Sequence, residues 1–446
     1  MTNHSALRQP LLRIQTDSQL PSHVDVAIIG AGIVGITAAY YLAKKRLSVL
    51  VLEKGIVGGE QSSRNWGWCR QLGRDPKELA LMRRSIDCWQ DLQKETGRDL
   101  GFRQGGSLIV LGDNAREVQW RAWQQTAAAH GVESTFLKEA EIRARLPDYE
   151  GPCVGGVTVA TDGHAEPERA APLLASAARD LGVRILQNCA VRLLDMAGGR
   201  VTGVITEKGR VSANAVVCAG GAWSGMLMRR HGIGLPQGHV HGSAMTTAAS
   251  IAELARCVST PTVSSRIRSD GGLTVGMNGR GTVYFTPTLL RHAFRFLPLY
   301  MHRRKWVKLR VSPRFLAELL EPAWGPTDIS PFERTRTLDP QPDMQLIRKS
   351  LQGLIEAYPA MSGATPKYAW AGVIDSLPDL LPVISAVDQV KGLYLSTGFS
   401  GHGFGIAPAA GELIADLITG ATTKVDGAAF GYSRLIDGTK LQPNEM

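Results

Sequence analysis

A chain of 446 residues exceeds the length at which one hydrophobic core stops growing, so it must divide into lobes. With 44% hydrophobic and 20% charged residues it has the composition of a globular protein, which excludes a disordered chain except at its ends. The net charge of +10 has one main source: from Gly271 to Ala317 there is no Asp or Glu, while Arg280, Arg291, Arg295, Arg303, Arg304, Lys305, Lys308, Arg310 and Arg314 accumulate. Charge so concentrated argues against a nucleic-acid-binding surface spread over the molecule.

Residues 1–22 have no apolar run of secretory or membrane-spanning length and read as a flexible leader. Residues 24–29 (VDVAII) form a β-branched run of strand length, 33–45 carry helical spacing with small residues, and 48–53 (SVLVLE) form a second buried strand. This is a βαβ unit with a right-handed crossover. Helices are predicted over 76–96, 114–129, 139–146 and 168–181, and strands over 102–111, 183–185, 190–195 and 216–218. Further strands are expected at 273–275, 282–285 and 393–396, with helices over 345–358 and 406–418. Six scattered cysteines, without a CxxC pair or histidine clusters at ligand spacing, predict free thiols in a reducing, cytoplasmic compartment and no metal site.

Gly30-Ala31-Gly32-Ile33-Val34-Gly35 is GxGxxG, a weak signal alone and a strong one here, because it follows a buried strand, opens a helix and precedes Glu53 at the tip of the next strand. Gly30 permits the tight turn, Gly32 lets backbone approach a pyrophosphate, and Gly35 lets helix and strand pack. The helix N-terminus supplies free N–H groups and partial positive charge. Glu53 would accept bonds from the adenosine ribose, with Lys54 beside it among the cofactor contacts. The polar loop 60–65 (EQSSRN) and the closing run 396–405 (STGFSGHGFG) favour FAD over a nicotinamide dinucleotide, since the second glycine-rich turn can meet a second electron-rich group.

These motifs, with residues 189–195 (CAVRLLD), 216–224 (VVCAGGAWS), 370–385 (WAGVIDSLPDLLPVIS) and 392–418, resemble the D-amino-acid-oxidase superfamily of flavin amine oxidoreductases. Within it the chain is most similar to bacterial membrane-associated L-amino-acid deaminases, on LEKGIVGGEQSSR, the region from QNCAVRLLD to AGGAWS, and PFERTRTLDPQPDMQLIRKSLQGLIEAYP. The loop 65–70 (NWGWCR) departs from that group. The resemblance implies noncovalent, extended FAD: Val191 at the adenine edge, Ala219 and Trp223 beside the cofactor, and Gln61, Ser62, Ser63 and Arg64 along the pyrophosphate and flavin side. The turn carrying Gly398, Ser400, Gly401, Gly403 and Phe404 would face the isoalloxazine. Members with covalent flavin use a late cysteine, whereas the last cysteine here is Cys257.

Such enzymes transfer hydride from the substrate Cα to flavin N5, leaving an imine that hydrolyses to a keto acid and ammonia; the protein orients the substrate and stabilises the reduced ring. An α-carboxylate calls for a guanidinium, and Arg280 is the first candidate. His402 is a candidate for flavin contact. His239 and His241 flank Val240 and share one strand face, His241 as a candidate for substrate contact and His239 for the pocket wall. Trp66, Trp68 and Arg70 are candidates for the rest of that wall. For each, a packed or surface role is the alternative reading.

The expected architecture is therefore α/β: a Rossmann-like, glutathione-reductase-type FAD domain from 23–75, 150–235 and 365–446, and an antiparallel-sheet substrate domain from 76–149 and 236–364. Residues 289–316 mix Phe294, Phe296, Trp306 and other apolar side chains with the cations, which suits an anionic membrane surface and a quinone-linked acceptor there, on the inner face of the plasma membrane. The expected partner is a small amino acid or amine, with no nucleic acid; no motif encodes an oligomeric state. The alternatives are an oxygen-using oxidase or dehydrogenase of D-amino acids, secondary amines or opines, and, less favoured, an RNA-modifying flavoprotein or a silent cofactor-binding subunit. Chirality is not written in these residues.

Overall fold

The strand His23–Ile29 runs through the middle of an eight-stranded sheet in a computed structural model that describes residues 10–249, 257–312 and 315–443. Val49–Leu52 and then Arg184–Leu186 lie parallel on one side of it, and Gly209–Cys218 lies parallel on the other. The end of Gly209–Cys218 pairs in parallel with Leu393–Thr397, from the far end of the sequence, while its beginning pairs antiparallel with Arg200–Thr206. The βαβ unit is as the glycine pattern predicts. Its helix Ile33–Lys44 packs against Gly403–Thr419 so closely that a Cβ on Gly411 would lie 2.6 Å from the Thr37 carbonyl carbon. The Thr37 hydroxyl donates to the Ala407 carbonyl at 2.9 Å across the same crossing.

Pro76–Thr96 is a helix with Asp75 capping the Lys77 N–H and a left-handed Gly97 ending it. It was expected with the substrate lobe, but its Leu81, Met82, Ile86, Trp89 and Leu92 share one core with Ile28 and Leu413 of the cofactor lobe. The apolar stripe was legible; the partner was not. The leader is also corrected in part: Leu12 N–H donates to the Glu168 carbonyl, and Asp17 exchanges bonds with Ile185, so residues 12–17 are tied along the cofactor lobe. Residues 1–9 lie outside the described residues.

The second sheet has ten strands around Gly238–Ala249, which pairs antiparallel with Pro366–Ser376 from Gly238–Ser376 to Thr246–Tyr368. The strand Gly238–Ala249 is longer than its glycine, alanine and threonine content announces. Helix Met344–Ala357 covers one face, where Met245, Val275, Leu354 and Ala369 pack together. The opposite face carries Gly276 and Gly372 against the cofactor lobe: Cβ atoms there would strike the Trp66 ring at 2.4 Å and Gln61 Oε1 at 2.2 Å. Strand Gly155–Val159, expected with the cofactor lobe, joins this second sheet. A buried ion pair, Arg266 Nη1 to Glu166 Oε1 at 3.0 Å, pins the sheet to the start of helix Pro167–Asp180.

The basic stretch folds as helices Pro287–Arg291 and Ala293–Arg303, then strand Val307–Val311 parallel to Gly281–Phe285, then Phe315–Leu319; Arg314 lies outside the described residues. Among the described residues no helix is long and apolar enough to cross a membrane, and no group of three or more His, Cys, Asp or Glu is placed to hold a metal. All six cysteines are free and buried.

Candidate active site

Gly30 adopts φ +103°, and a Cβ on it would lie 2.5 Å from the Ala219 carbonyl oxygen, so only glycine closes this turn against the neighbouring strand. A Cβ on Gly35 would meet the Gly30 carbonyl oxygen at 2.1 Å. The first helical N–H beyond Gly32, that of Ile33, donates to Ser62 Oγ at 2.9 Å. At the tip of the second strand Glu53 accepts from the Ala31 N–H at 2.9 Å and the Gly55 N–H at 2.7 Å. Burial raises its carboxyl above the ordinary range, opposed by those two bonds.

These parts line one cleft that opens to solvent. Its lining includes Glu53, Lys54 and Val191, then Gly30, Gly32, Gln61, Ser62 and Ala219, then Gly401, Gly403 and Phe404, with Trp223 among them. Two cleft-lining side-chain atoms, Gln61 Oε1 and Ser396 Oγ, are buried without a hydrogen-bond partner. An extended dinucleotide with a second hydrogen-bonding ring fits this pattern: orphaned polar atoms, a glycine cradle and two helix starts.

The second glycine-rich turn is built on long-range ties. Gly398, Ser400 and Gly401 have φ of +76°, +51° and +90°, and a Cβ on Gly398 would strike Leu377 at 2.5 Å. Asp375, at the end of Pro366–Ser376, holds this turn: its carboxylate accepts from the Gly398 N–H at 2.7 Å and the Thr397 hydroxyl at 3.2 Å, and its carbonyl from the Ser400 N–H at 2.8 Å. Burial pushes its carboxyl up to about 6. Asp375 was not singled out from sequence, although an acid inside the apolar run AGVIDSL was the available signal.

His402 precedes helix Gly403–Thr419, and its Nδ1–H donates to Glu78 Oε2 at 3.0 Å. Glu78 is fully buried on helix Pro76–Thr96, another residue that sequence reasoning missed. Burial lowers the His402 pKa, and Arg74 lowers it further. Arg70 lies with its guanidinium over the Trp68 ring at 5.6 Å and donates to the Leu72 carbonyl; burial and Arg74 lower it to about 10. His239 donates through Nε2 to the Ala222 carbonyl at 2.9 Å, and His241 meets the Tyr284 ring at 4.5 Å. Burial lowers both, His241 to about 4, so both are neutral near pH 7.

Five candidate residues are corrected by position. Arg280 is exposed, over the Trp306 ring at 5.0 Å and bonded to the Lys305 carbonyl, remote from the cleft because it occupies the turn before strand Gly281–Phe285 and points outward. Arg64 does not line the cleft; its guanidinium is held by the Gly59 and Leu338 carbonyls and Asp339. Ser63 sits behind the cleft too, its hydroxyl donating to the Glu60 carbonyl. Trp66 stacks on Gly276 of the second sheet and Trp68 pairs with His164, and neither is among the residues lining the cleft.

A family profile described as FAD dependent oxidoreductase (DAO) matches residues 25–417. The chain belongs to this family of FAD-dependent oxidoreductases acting on amino acids or amines. Its fold is similar to that of L-amino acid deaminase from Proteus myxofaciens, solved in complex with anthranilate, with TM-score 0.91, 28% identity and coverage of 95% of this chain and 96% of the other. In sequence it is 27% identical to sarcosine oxidase subunit beta from Arthrobacter sp., over 93% of this chain and 91% of that protein. It is 26% identical to glycine oxidase from Pseudomonas putida, over 91% of this chain and 97% of that enzyme.

Proposed function

We propose that the protein oxidatively deaminates an amino acid and passes the electrons to an acceptor at a membrane surface. The observation that carries the amino-acid reading is a pair of guanidiniums, those of half-buried Arg70 and buried Arg74, beside the His402 turn. No carboxylate within ion-pair distance of either is found among the described residues, so they suit a substrate α-carboxylate. Bound FAD would supply the two-electron acceptor. Gly30, Gly32 and Ser62 would hold its pyrophosphate, Glu53 its ribose, and the Gly401 to Phe404 turn its ring. Neutral His239 and His241 leave no charge on the sheet face beside Asp375, so the amine is oriented by the carboxylate clamp rather than by a fixed base.

The experiment is anaerobic bleaching of the oxidised-flavin band with a panel of L- and D-amino acids, sarcosine, proline and opines. Bleaching by primary L-amino acids supports the deaminase; bleaching only by N-methyl or secondary amines favours the sarcosine-oxidase class. If nothing bleaches, the reading fails. Replacing Arg70 with Met should raise KM at least about tenfold with little change in kcat, and an unchanged KM removes it from the site.

The membrane part rests on the surface of residues 287–320. Phe294 is 91% exposed, Leu297 and Met301 on the same helix and Leu316 and Leu320 further along the chain are exposed too, and Arg291, Arg304 and Lys305 lie among them in sequence. Such a patch suits insertion at an anionic interface. Co-sedimentation with anionic vesicles, absent with neutral ones and weakened by salt, tests it; replacing Phe294 and Leu297 with Ser should abolish it.

A further inference from the structure

The segment 332–339 crosses the outside of the cofactor cleft, although it belongs in sequence to the substrate lobe. At its start Phe332 is buried, lines the cleft and meets the Trp223 ring edge-on at 5.8 Å. Glu333 binds Arg192, next to cleft-lining Val191, through two bonds of 2.9 and 2.7 Å. The carbonyls of Thr335 and Arg336 accept from Lys54 Nζ at 2.8 and 3.1 Å. Arg336 returns a bond to the Lys54 carbonyl at 3.1 Å and clasps Glu207, whose carboxylate also takes the Ala190 N–H. On the opposite bank the Leu338 N–H donates to Glu60 Oε1 at 2.8 Å, and Arg64 holds both the Leu338 carbonyl and Asp339, the latter at 3.1 Å. Glu60 is itself gripped by Lys54 at 2.6 Å and by the Trp223 indole N–H.

The ties to Lys54, Glu60, Arg64 and Arg192 end on residues that line the cleft or adjoin one that does, and Glu207 reaches it at one remove through Ala190, next to Val191. None of them is needed to form either sheet. We infer that residues 332–339 are a third cofactor-holding element, a latch that closes over the adenosine half of FAD and sets how long the cofactor stays bound. Its cations are paired with protein carboxylates and carbonyls, so it holds FAD by shutting the cleft rather than by neutralising the pyrophosphate. Phe332 is the residue of this segment that lines the cleft itself. FAD must then enter and leave with the latch lifted, a local opening that breaks charge-assisted bonds on both banks.

The inference rests on FAD binding alone and not on which amine is oxidised. Two variants weaken the latch by different physics. Arg336→Ala removes the clasp on Glu207. Gly55→Ala removes no bond but places a methyl group 2.2 Å from the Arg336 carbonyl oxygen, so the latch must shift. Holoprotein diluted into FAD-free buffer, followed by the rise in free-flavin fluorescence, should lose FAD at least about tenfold faster in both variants than in the natural chain. Trypsin should cut the natural chain after Arg334 or Arg336 about tenfold faster without FAD than with it, the fragments being identified by mass. Release within twofold of the natural chain in both variants overturns the latch, and so does cutting at equal rates with and without FAD.

Discussion

The two glycine-rich turns of the cleft look alike in sequence and are built differently. The first, at Gly30, is local: strand, turn, helix and Glu53 come from one βαβ unit, and the Ile33 N–H is satisfied by Ser62 just beyond it. The second, at Gly398 to Gly403, starts a helix without a side-chain cap and is held from outside, by Asp375 from the substrate sheet and by Glu78 beneath His402. On the proposed reading the first turn would hold the dinucleotide, and the second would couple the flavin end to the second sheet through Asp375. Damage to the first should therefore cost cofactor and fold together, whereas damage to the second should change the pH response of the coupling.

The largest effect is expected at Gly30. Replacement by Val forces a β-branched residue to φ +103° and drives its Cβ against the Ala219 carbonyl, a combined cost above about 4 kcal/mol. The variant should purify with under about a tenth of the natural flavin content, measured from the ratio of flavin to protein absorbance. Normal flavin content would break the distinction between a closed local turn and an externally held one.

Asp375 gives the next effect, and its sign is definite. Its carboxyl titrates near 6 in the folded chain and near 3.8 unfolded, so the folded state holds the proton more tightly. The stability this contributes is complete below pH 3.8 and lost as pH rises through 6, on the order of 3 kcal/mol. His231 and His241, lowered by burial to about 4, act oppositely, losing stability as pH falls below their unfolded value of 6.5. Between about pH 4 and 6 Asp375 offsets about one of these two histidines in the natural chain, so the difference between variant and natural chain isolates its titration. Asp375→Asn keeps an acceptor for the Gly398 N–H and removes the titration. Its stability relative to the natural chain should therefore rise by about 2–3 kcal/mol from pH 4 to pH 7, read from urea midpoints. A flat difference would place the buried charge elsewhere.

The same contrast explains what was legible in the sequence. The first turn could be read because strand, glycines and Glu53 lie within one short stretch and obey a period. The helices 76–96 and 345–358 could be read from their apolar stripes, though not the core each would join. Glu78 and Phe332 carry no local signature, and the acid in AGVIDSL marks Asp375 without naming its partner: His402 finds Glu78 across 324 positions, and Leu338 finds Glu60 across 278. Arg280 illustrates the converse. The strand after it was read correctly, but which way a turn residue points depends on the register of Gly238–Ala249 against Gly281–Phe285 and on Trp306, which no spacing reveals.

The smallest effect separates capping from cofactor contact within the first turn. Ser62 Oγ accepts from the Ile33 N–H and would lie 3.1 Å from a Cβ on Gly32, so the hydroxyl is seated against the helix start where a phosphate would approach. Ser62→Ala removes one neutral hydrogen bond, worth about 1 kcal/mol. If the hydroxyl serves both the helix and the pyrophosphate, the FAD dissociation constant should rise about fivefold, with a fall of a degree or two in the Tm of the FAD-free chain. A lowered Tm with an unchanged dissociation constant would make Ser62 a helix cap alone. Holding the pyrophosphate would then fall to the backbone N–H groups after Gly30, and the first turn would be more local still.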